Sequence, residues 1–184
     1  MKLVILDRDG VINADSPDYV KSVDEWCPIP GSLEAIARLC RAGFHVYVAS
    51  NQSGVGRRLF DLDALFAIHE RMQRALVDLG ARIEAVEFAP AHPRRGSDLR
   101  KPAPGMLLDL AERLQISLEG VPVVGDSARD LEAARAAGAC PVLVLTGNGQ
   151  RTKNAHNGDD LLCYADLAAF ATDWIERHPD DQSS

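Results

Sequence analysis

Apolar residues in this chain gather into short unbroken runs, separated by longer stretches in which they recur every three or four positions. The runs cover residues 3–6, 44–49, 83–89, 121–124 and 141–145. A short run without alternation is the pattern of a strand buried on both faces, as in a parallel sheet covered by helices. Leu33, Ile36, Ala37, Leu39 and Cys40 keep helical spacing, with Ser32 placed to cap and Gly43 to terminate. Leu62, Leu65, Phe66, His69, Met72, Leu76 and Leu79 form the stripe of a longer helix ending at Gly80. Leu107, Leu110, Ala111 and Leu114 predict a third helix, and Leu131, Ala134 and Ala137 a fourth, stopped at Gly138. Leu167, Phe170, Ala171 and Trp174 predict the last. Alternation of strand and helix throughout implies an α/β three-layer sandwich with a mostly parallel sheet and right-handed crossovers. Residues 1–178 read as a single domain and 179–184 as a frayed polar tail. Two segments, 13–31 and 90–105, fit neither period; ordered loops of that length in a compact domain are usually functional.

Composition narrows the class of partner. The chain has 184 residues, a net charge of −7 and 46% hydrophobic content, enough for a real core without staples. Such a charge disfavours nucleic acid and anionic membranes, so an anionic ligand needs a local cation to hold it. Cys27, Cys40, Cys140 and Cys163 are scattered, with no Cys-x-x-Cys pair, and read as reduced thiols. No apolar stretch approaches the roughly 20 residues of a membrane span, and the chain opens directly on a strand. The expectation is a cytoplasmic monomer that touches neither membrane nor nucleic acid.

The chemistry gathers where strands end. The first run stops at Asp7-Arg8-Asp9-Gly10: two carboxylates one residue apart, then a glycine that permits a tight turn. Open parallel sheets bind ligands beyond the carboxyl ends of their strands. One acid there suits metal or nucleophilic work and the other proton transfer. After the second run comes Ser50-Asn51-Gln52-Ser53-Gly54, a small-residue turn rich in donors suited to phosphate oxygens. Arg100-Lys101-Pro102 follows the third run, and Gly125-Asp126-Ser127-Ala128-Arg129-Asp130 the fourth. Singly, each has a plain structural alternative: a turn, a polar loop, a solvated charge pair, a helix cap. Those alternatives do not account for acids at two strand exits together with a cation.

The ordered series Asp7-x-Asp9, Ser50, Lys101, Gly125-Asp126 resembles the four signature motifs of the haloacid dehalogenase-type phosphatase superfamily, across nearly the whole chain. Finer features, Asp-Arg-Asp-Gly-Val-Ile-Asn, Ser-Asn-Gln-Ser-Gly and Arg-Lys-Pro-x-Pro-Gly-Met, look like its heptose-bisphosphate phosphatase group. The neighbouring histidinol-phosphatase group usually has an aspartate where this chain has Ser53. The resemblance implies a Rossmann-like sheet with no separate cap domain, so segments 13–31 and 90–105 close the pocket.

Members of this group commonly carry a zinc loop, Cys-x-His followed by Cys-x-Cys before the Arg-Lys pair. Here the stretch reads Ala89-Pro90-Ala91-His92-Pro93, and Asp98-Leu99 directly precedes Arg100. None of the cysteine ligands is present, and a structural zinc needs four ligands. No structural zinc is expected; Pro90, Pro93 and a shorter span would stiffen the loop, with His92 a packing residue.

By resemblance, Asp7, Asp126 and the main-chain carbonyl of Asp9 bind Mg²⁺, an oxygen-seeking ion that bridges to phosphate. Asp7 would be the nucleophile, Asp9 the proton donor and then acceptor, and Ser50 and Lys101 the grip on the phosphoryl oxygens. Asp15, Ser16, Tyr19, Asn51, Gln52, Ser53 and Arg100 form the expected substrate-binding set, with one extra residue near Pro17-Asp18 relative to the group. Asp130 either supports the metal ligands or caps its helix. The implied reaction removes the C7 phosphate of D-glycero-D-manno-heptose 1,7-bisphosphate through an aspartyl phosphate, towards nucleotide-heptose and lipopolysaccharide core. Rival expectations are a histidinol-phosphate or other small phosphomonoester phosphatase, and a non-catalytic phosphate-binding protein.

Overall fold

The computed structural model describes residues 1–92, 94, 97–156 and 161–179. Its centre is a six-stranded sheet, parallel throughout, in the order β3-β2-β1-β4-β5-β6. The strands are β1 (Lys2–Leu6), β2 (Phe44–Asn51), β3 (Ala85–Ala89), β4 (Pro122–Gly125), β5 (Cys140–Val144) and β6 (Leu162–Tyr164). Among the described residues seven helices accompany them: α1 (Ser32–Arg41), α2 (Ser53–Gly56), α3 (Leu62–Val77), α4 (Gly105–Leu114), α5 (Ala128–Ala136), α6 (Gly149–Ala155) and α7 (Leu167–Arg177).

Alternate residues of the buried strands face opposite layers. Val4, Leu6, Val46, Val48, Val124 and Val142 join Ile36 and Leu39 of α1, Met72 and Leu76 of α3, and Phe170 and Trp174 of α7 in one cluster. Leu3, Ile5, Tyr47, Ala49 and Val123 face Leu107 and Leu110 of α4 and Ala133 and Ala134 of α5 in the other. Both faces of the central strands are therefore apolar, which is why their sequences show no alternation. This is the three-layer sandwich that the pattern implies. Strand order reverses between β1 and β4, paired through Ile5↔Val123 and Leu6↔Val124. Ligands bind at such a switch point, outside the carboxyl ends of the strands.

Several elements depart from the sequence reading. The third strand starts at Ala85, not Ile83, because the Gln73 side chain binds the main chain of Ile83: its Oε1 accepts from Ile83 N at 3.0 Å and its Nε2 donates to Ile83 O at 2.6 Å. Gly31, in the left-handed region at φ 83°, is the N-cap of α1. Ser32 does not cap; its hydroxyl donates to Ile12 O at 2.6 Å and ties the first loop to the helix. Strand β6 and helices α2 and α6 are short and lacked a periodic signal. Between β1 and α1 the described chain holds only isolated bridges, Asp9↔Asn13 and Asn13↔Pro28, and no cap domain is inserted there. Of the expected tail, residues 180–184 lie outside the described residues, as does Pro93.

Candidate active site

Asp7 leaves the end of β1 with its N–H donating to Val124 O of β4 at 2.8 Å, which locks the acid onto the switch point. Gly10 follows in the left-handed region at φ 82°, and a Cβ there would lie 2.1 Å from Asp126 Oδ2. Gly147, after β5, faces the same oxygen: its Cβ would lie 2.2 Å away. Only bare backbone lets these two loops close on Asp126.

Three carboxylates meet at this floor. Ligand atoms of Asp7, Asp126 and Asp130 all lie within 4.8 Å of one another. Lys101 Nζ reaches Asp7 Oδ1 at 3.2 Å, donates to Ala49 O at 2.8 Å, and forms an ion pair with Asp130. Asp130 also completes a capping box: its Oδ2 accepts from Ser127 N at 3.1 Å and from the Ser127 hydroxyl. It thus caps α5 and holds the lysine, both at once.

Burial drives the electrostatics of the floor. Desolvation outweighs the nearby Lys101 and, helped by Asp130 and Asp126, pushes Asp7 up to about 7. Burial pushes Asp126 up to about 6, against hydrogen bonds from Asn148 that favour its ionised form. Burial alone would lower Lys101, but Asp130 and Asp7 overcome it and hold the ammonium above its usual range. The same pairing, with the Ser127 hydrogen bonds, keeps Asp130 below the usual carboxylate range despite its burial. Three carboxylates against one ammonium leave room for a cation; burial and mutual repulsion would relax if one bound between Asp7 and Asp126.

Asp9 lines the same cavity but is held by a separate set of donors. Its Oδ1 accepts from Arg8 Nε at 3.2 Å and Asn13 Nδ2 at 2.9 Å, and its Oδ2 accepts from Gln52 Nε2 at 2.9 Å. Ser50 and Asn51, expected in a turn, are the last residues of β2, paired with Phe88 and Ala89. The Ser50 hydroxyl accepts from Gln52 Nε2 at 2.9 Å. Asn51 clasps the main chain of Lys101, accepting from its N at 3.0 Å and donating to its O at 2.9 Å. Asn51 and Gln52 therefore already serve protein partners, one setting Lys101 and the other setting Asp9.

These groups line a cavity of about 370 Å³ that also takes in Asp15, Ser16, Tyr19, Ser53 and Arg100. All the residues expected at the site thus face one space. The cavity also holds Arg57, Arg129 and Asn148, which the sequence reading did not single out. Arg100 carries a buried Nη1 without a hydrogen-bond partner. Burial and the neighbouring Arg129 lower its pKa, with Tyr19 opposing. Arg57 lies 6.0 Å from the centre of the Tyr19 ring, and Tyr19 sits in the left-handed region at φ 67°. Asn148 donates from its N to Asp126 Oδ2 at 2.7 Å and from Nδ2 to Asp15 Oδ2 at 2.9 Å, joining floor to loop. The signal for it was Thr146-Gly147-Asn148-Gly149, small and polar residues at a fifth strand exit. His92 Nδ1 accepts from Arg94 N at 3.1 Å, a contact within its own loop.

The HAD-hydrolase-like family profile matches residues 98–169. The chain is 51% identical over 175 residues to D-glycero-beta-D-manno-heptose-1,7-bisphosphate 7-phosphatase of Pseudomonas putida, covering 95% of this chain and 100% of that protein. Its identity to the Bordetella bronchiseptica protein of the same name is 55% over 178 residues, covering 96% and 99%. A crystal structure of D,D-heptose 1,7-bisphosphate phosphatase from B. bronchiseptica, complexed with magnesium and phosphate, superposes with a TM-score of 0.94 at 50% identity. It spans 96% of this chain and 99% of that one.

Proposed function

The chain belongs to the heptose 1,7-bisphosphate 7-phosphatases of the haloacid dehalogenase-like hydrolases, and we propose that it removes the C7 phosphate of D-glycero-β-D-manno-heptose 1,7-bisphosphate and leaves heptose 1-phosphate. One observation carries the reading: a single cavity joins an acid-lined floor around Asp7 to a rim where Arg100 holds a buried, unpartnered guanidinium nitrogen. A substrate with a phosphate at each end matches both.

The oxygen donors of Asp7 and Asp126, with the main-chain carbonyl of Asp9, suit a hard cation such as Mg²⁺ and would hold it. When bound, it supplies positive charge to the reacting phosphoryl group. The chain's own residues carry the rest. Asp7 attacks phosphorus in line; its carboxylate oxygen bonds to phosphorus as the bond to the C7 oxygen breaks, giving an aspartyl phosphate. Asp9 passes a proton to the departing sugar oxygen, then takes one from the water that attacks the aspartyl phosphate and frees Asp7. Lys101, fixed by Asp130 and by the Asn51 clasp, meets the phosphoryl oxygens together with Ser50, so catalysis is mainly positioning and charge stabilisation.

Asp15, Ser16, Tyr19 and Ser53 line the path from floor to rim, and Arg100, with Arg57 and Arg129 beside it, receives the C1 phosphate. A guanidinium suits bidentate capture of an oxyanion better than an ammonium does. The floor and the rim can be assembled from one chain's own residues, and a monomer is the proposed working unit. The four cysteines stand free, which supports a reducing, cytoplasmic setting on the way to nucleotide-heptose. The test is kcat/KM with Mg²⁺ for the heptose bisphosphate against histidinol phosphate, with phosphorus NMR of the product. Preference for the bisphosphate and retention of the C1 phosphate is the expected result. Equal or better turnover of histidinol phosphate would overturn the substrate assignment and leave the phosphatase chemistry standing.

A further inference from the structure

Beneath the acid loop lies a buried guanidinium that the reaction above does not use. Arg8 is 1% exposed and heads the fully buried side chains in size. Its Nε lies 3.2 Å from Asp9 Oδ1, and its Nη2 lies 3.0 Å from both Asp9 oxygens and 3.2 Å from Gln52 Oε1. On the far side, Nη1 meets His69 Nε2 at 3.4 Å. A guanidinium offers only N–H donors, so His69 accepts through Nε2 and carries its own proton on Nδ1. Burial and the adjacent Arg8 keep this imidazole neutral, with its pKa down to about 4. His69 stands on α3 and packs edge-on to Phe88 of β3, with ring centres 6.1 Å apart.

A buried charge is costly to keep, and breaking such a pair by removing one partner costs more still. The arrangement fixes Asp9 from behind: a bidentate fork on its carboxylate, braced in turn by a helix across the layer. We propose that Arg8, held by His69, is a positioning residue for Asp9 and sets the direction in which that acid delivers its proton. This rests on the reading of Asp9 as the acid–base residue.

The consequence depends on the leaving group. A sugar alkoxide needs the proton; an aryl oxide such as nitrophenolate leaves largely unaided. Since kcat/KM reports steps up to the first irreversible one, here transfer to Asp7, misdirection of Asp9 should lower it for the sugar substrate and spare the aryl phosphate. Hydrolysis of the aspartyl phosphate also needs Asp9, so an aryl phosphate should show a burst of nitrophenolate followed by slow turnover. A displacement of about 1 Å can cost about 10²-fold.

Arg8→Met should therefore lower kcat/KM for the heptose bisphosphate by about 10- to 100-fold, change that for nitrophenyl phosphate little, and show the burst. His69→Leu, which leaves β1 untouched, should give the same split at smaller amplitude, and His69→Gln, with an acceptor restored, should recover part of it. His69→Leu decides alone if Arg8→Met does not fold. Asp9→Asn is the control and should split the two substrates more widely. If Asp9→Asn lowers both alike, the reading of Asp9 falls. If Asp9→Asn splits them while Arg8→Met and His69→Leu lower both alike or change neither, the positioning proposal is overturned.

Discussion

The floor and the rim of the cavity handle charge in opposite ways. At the floor, Lys101 bonds Asp7, Asp130 and the Ala49 carbonyl, and Asp126 is held by Asn148. At the rim, among the described residues, Arg57, Arg100 and Arg129 form no ion pair, and Arg100 keeps a buried nitrogen unsatisfied. A protein leaves a buried donor unpaired at a cost of about 1–3 kcal/mol unless a ligand completes it. The floor is thus organised before substrate arrives, as catalysis of phosphoryl transfer requires. On the proposed reading, an anion would complete the rim. The chain is acidic overall, yet three of its arginines line one edge of this cavity.

The largest effects should come from breaking the floor. Asp7→Asn should abolish phosphate release while the thermal melt stays cooperative, and EDTA should do the same to the wild-type protein. Asp9→Asn should retain more, losing about 10²–10⁴-fold, the usual worth of general acid–base catalysis. Near-normal turnover by Asp7→Asn would remove the nucleophile from the mechanism. Lys101→Met should cost about 10²–10³-fold in kcat and also destabilise the fold, because it strands Asp7 and Asp130 in a buried site.

Breaking the rim should cost less and in a different parameter. Arg100→Ala should lower kcat/KM for the heptose bisphosphate by about 10- to 100-fold and barely alter that for a small aryl phosphate, because only the first uses remote contacts to orient the reacting group. Arg57→Ala and Arg129→Ala, from more exposed positions, should each cost less than Arg100→Ala. An equal loss on both substrates would place Arg100 at the reacting phosphate and erase the distinction between floor and rim.

The floor was more legible in the sequence than the rim, for a physical reason. Asp7, Asp9 and Asp126 sit at strand exits, and unbroken apolar runs announce those exits without any knowledge of packing; Lys101, in the long loop before α4, was legible only through the ordered motif series. The same runs gave five of the strands; β6, three residues at the sheet edge, was too short to show a pattern. Arg57 follows a four-residue helix and Arg129 occupies the first turn of α5, so nothing in their spacing sets them apart from solvated surface charge. Only the folding of loop 13–31 towards α2 and α5 brings them into one cavity. Side-chain commitments were also beyond the sequence. Asn51, expected to bind substrate, clasps the main chain of Lys101; Asp130, expected to support the metal ligands or cap its helix, caps α5 and pairs with Lys101.

Asn148 links the two regions, through Asp126 on one side and Asp15 on the other. Asn148→Ala would remove only the side-chain part of that link, since its N–H to Asp126 remains. The expected result is an increase of about 10-fold in the Mg²⁺ concentration for half-maximal activity, with kcat at saturating Mg²⁺ changing less. Titration of activity against Mg²⁺ measures it, and an unchanged midpoint would reduce Asn148 to a loop tether.

The smallest effect is on stability, and it tests whether the floor wants a cation. Without metal, Asp7 and Asp126 are raised from 3.8 to about 7 and about 6. Both bind protons more tightly in the folded state than in the unfolded one. Between about pH 4 and pH 7 the native state therefore holds more protons, and stability falls as pH rises through that window. Asp130, lowered by Lys101, works in the opposite sense only as pH falls below its ordinary value, outside the window. His69, lowered from 6.5 to about 4, opposes the trend inside the window and offsets one of the two carboxylates, so the net fall is reduced but not reversed. A cation at the floor takes the place of the protons, so the gain in Tm on adding Mg²⁺ should be greater at about pH 8 than at about pH 5, by a few degrees. Asp7→Asn should flatten the pH dependence of Tm in EDTA, because an amide carries no charge to bury. A gain from Mg²⁺ equal at both pH values would mean that burial of Asp7 and Asp126 is tolerated without a counter-charge, and the contrast between floor and rim would then rest on the arginines alone.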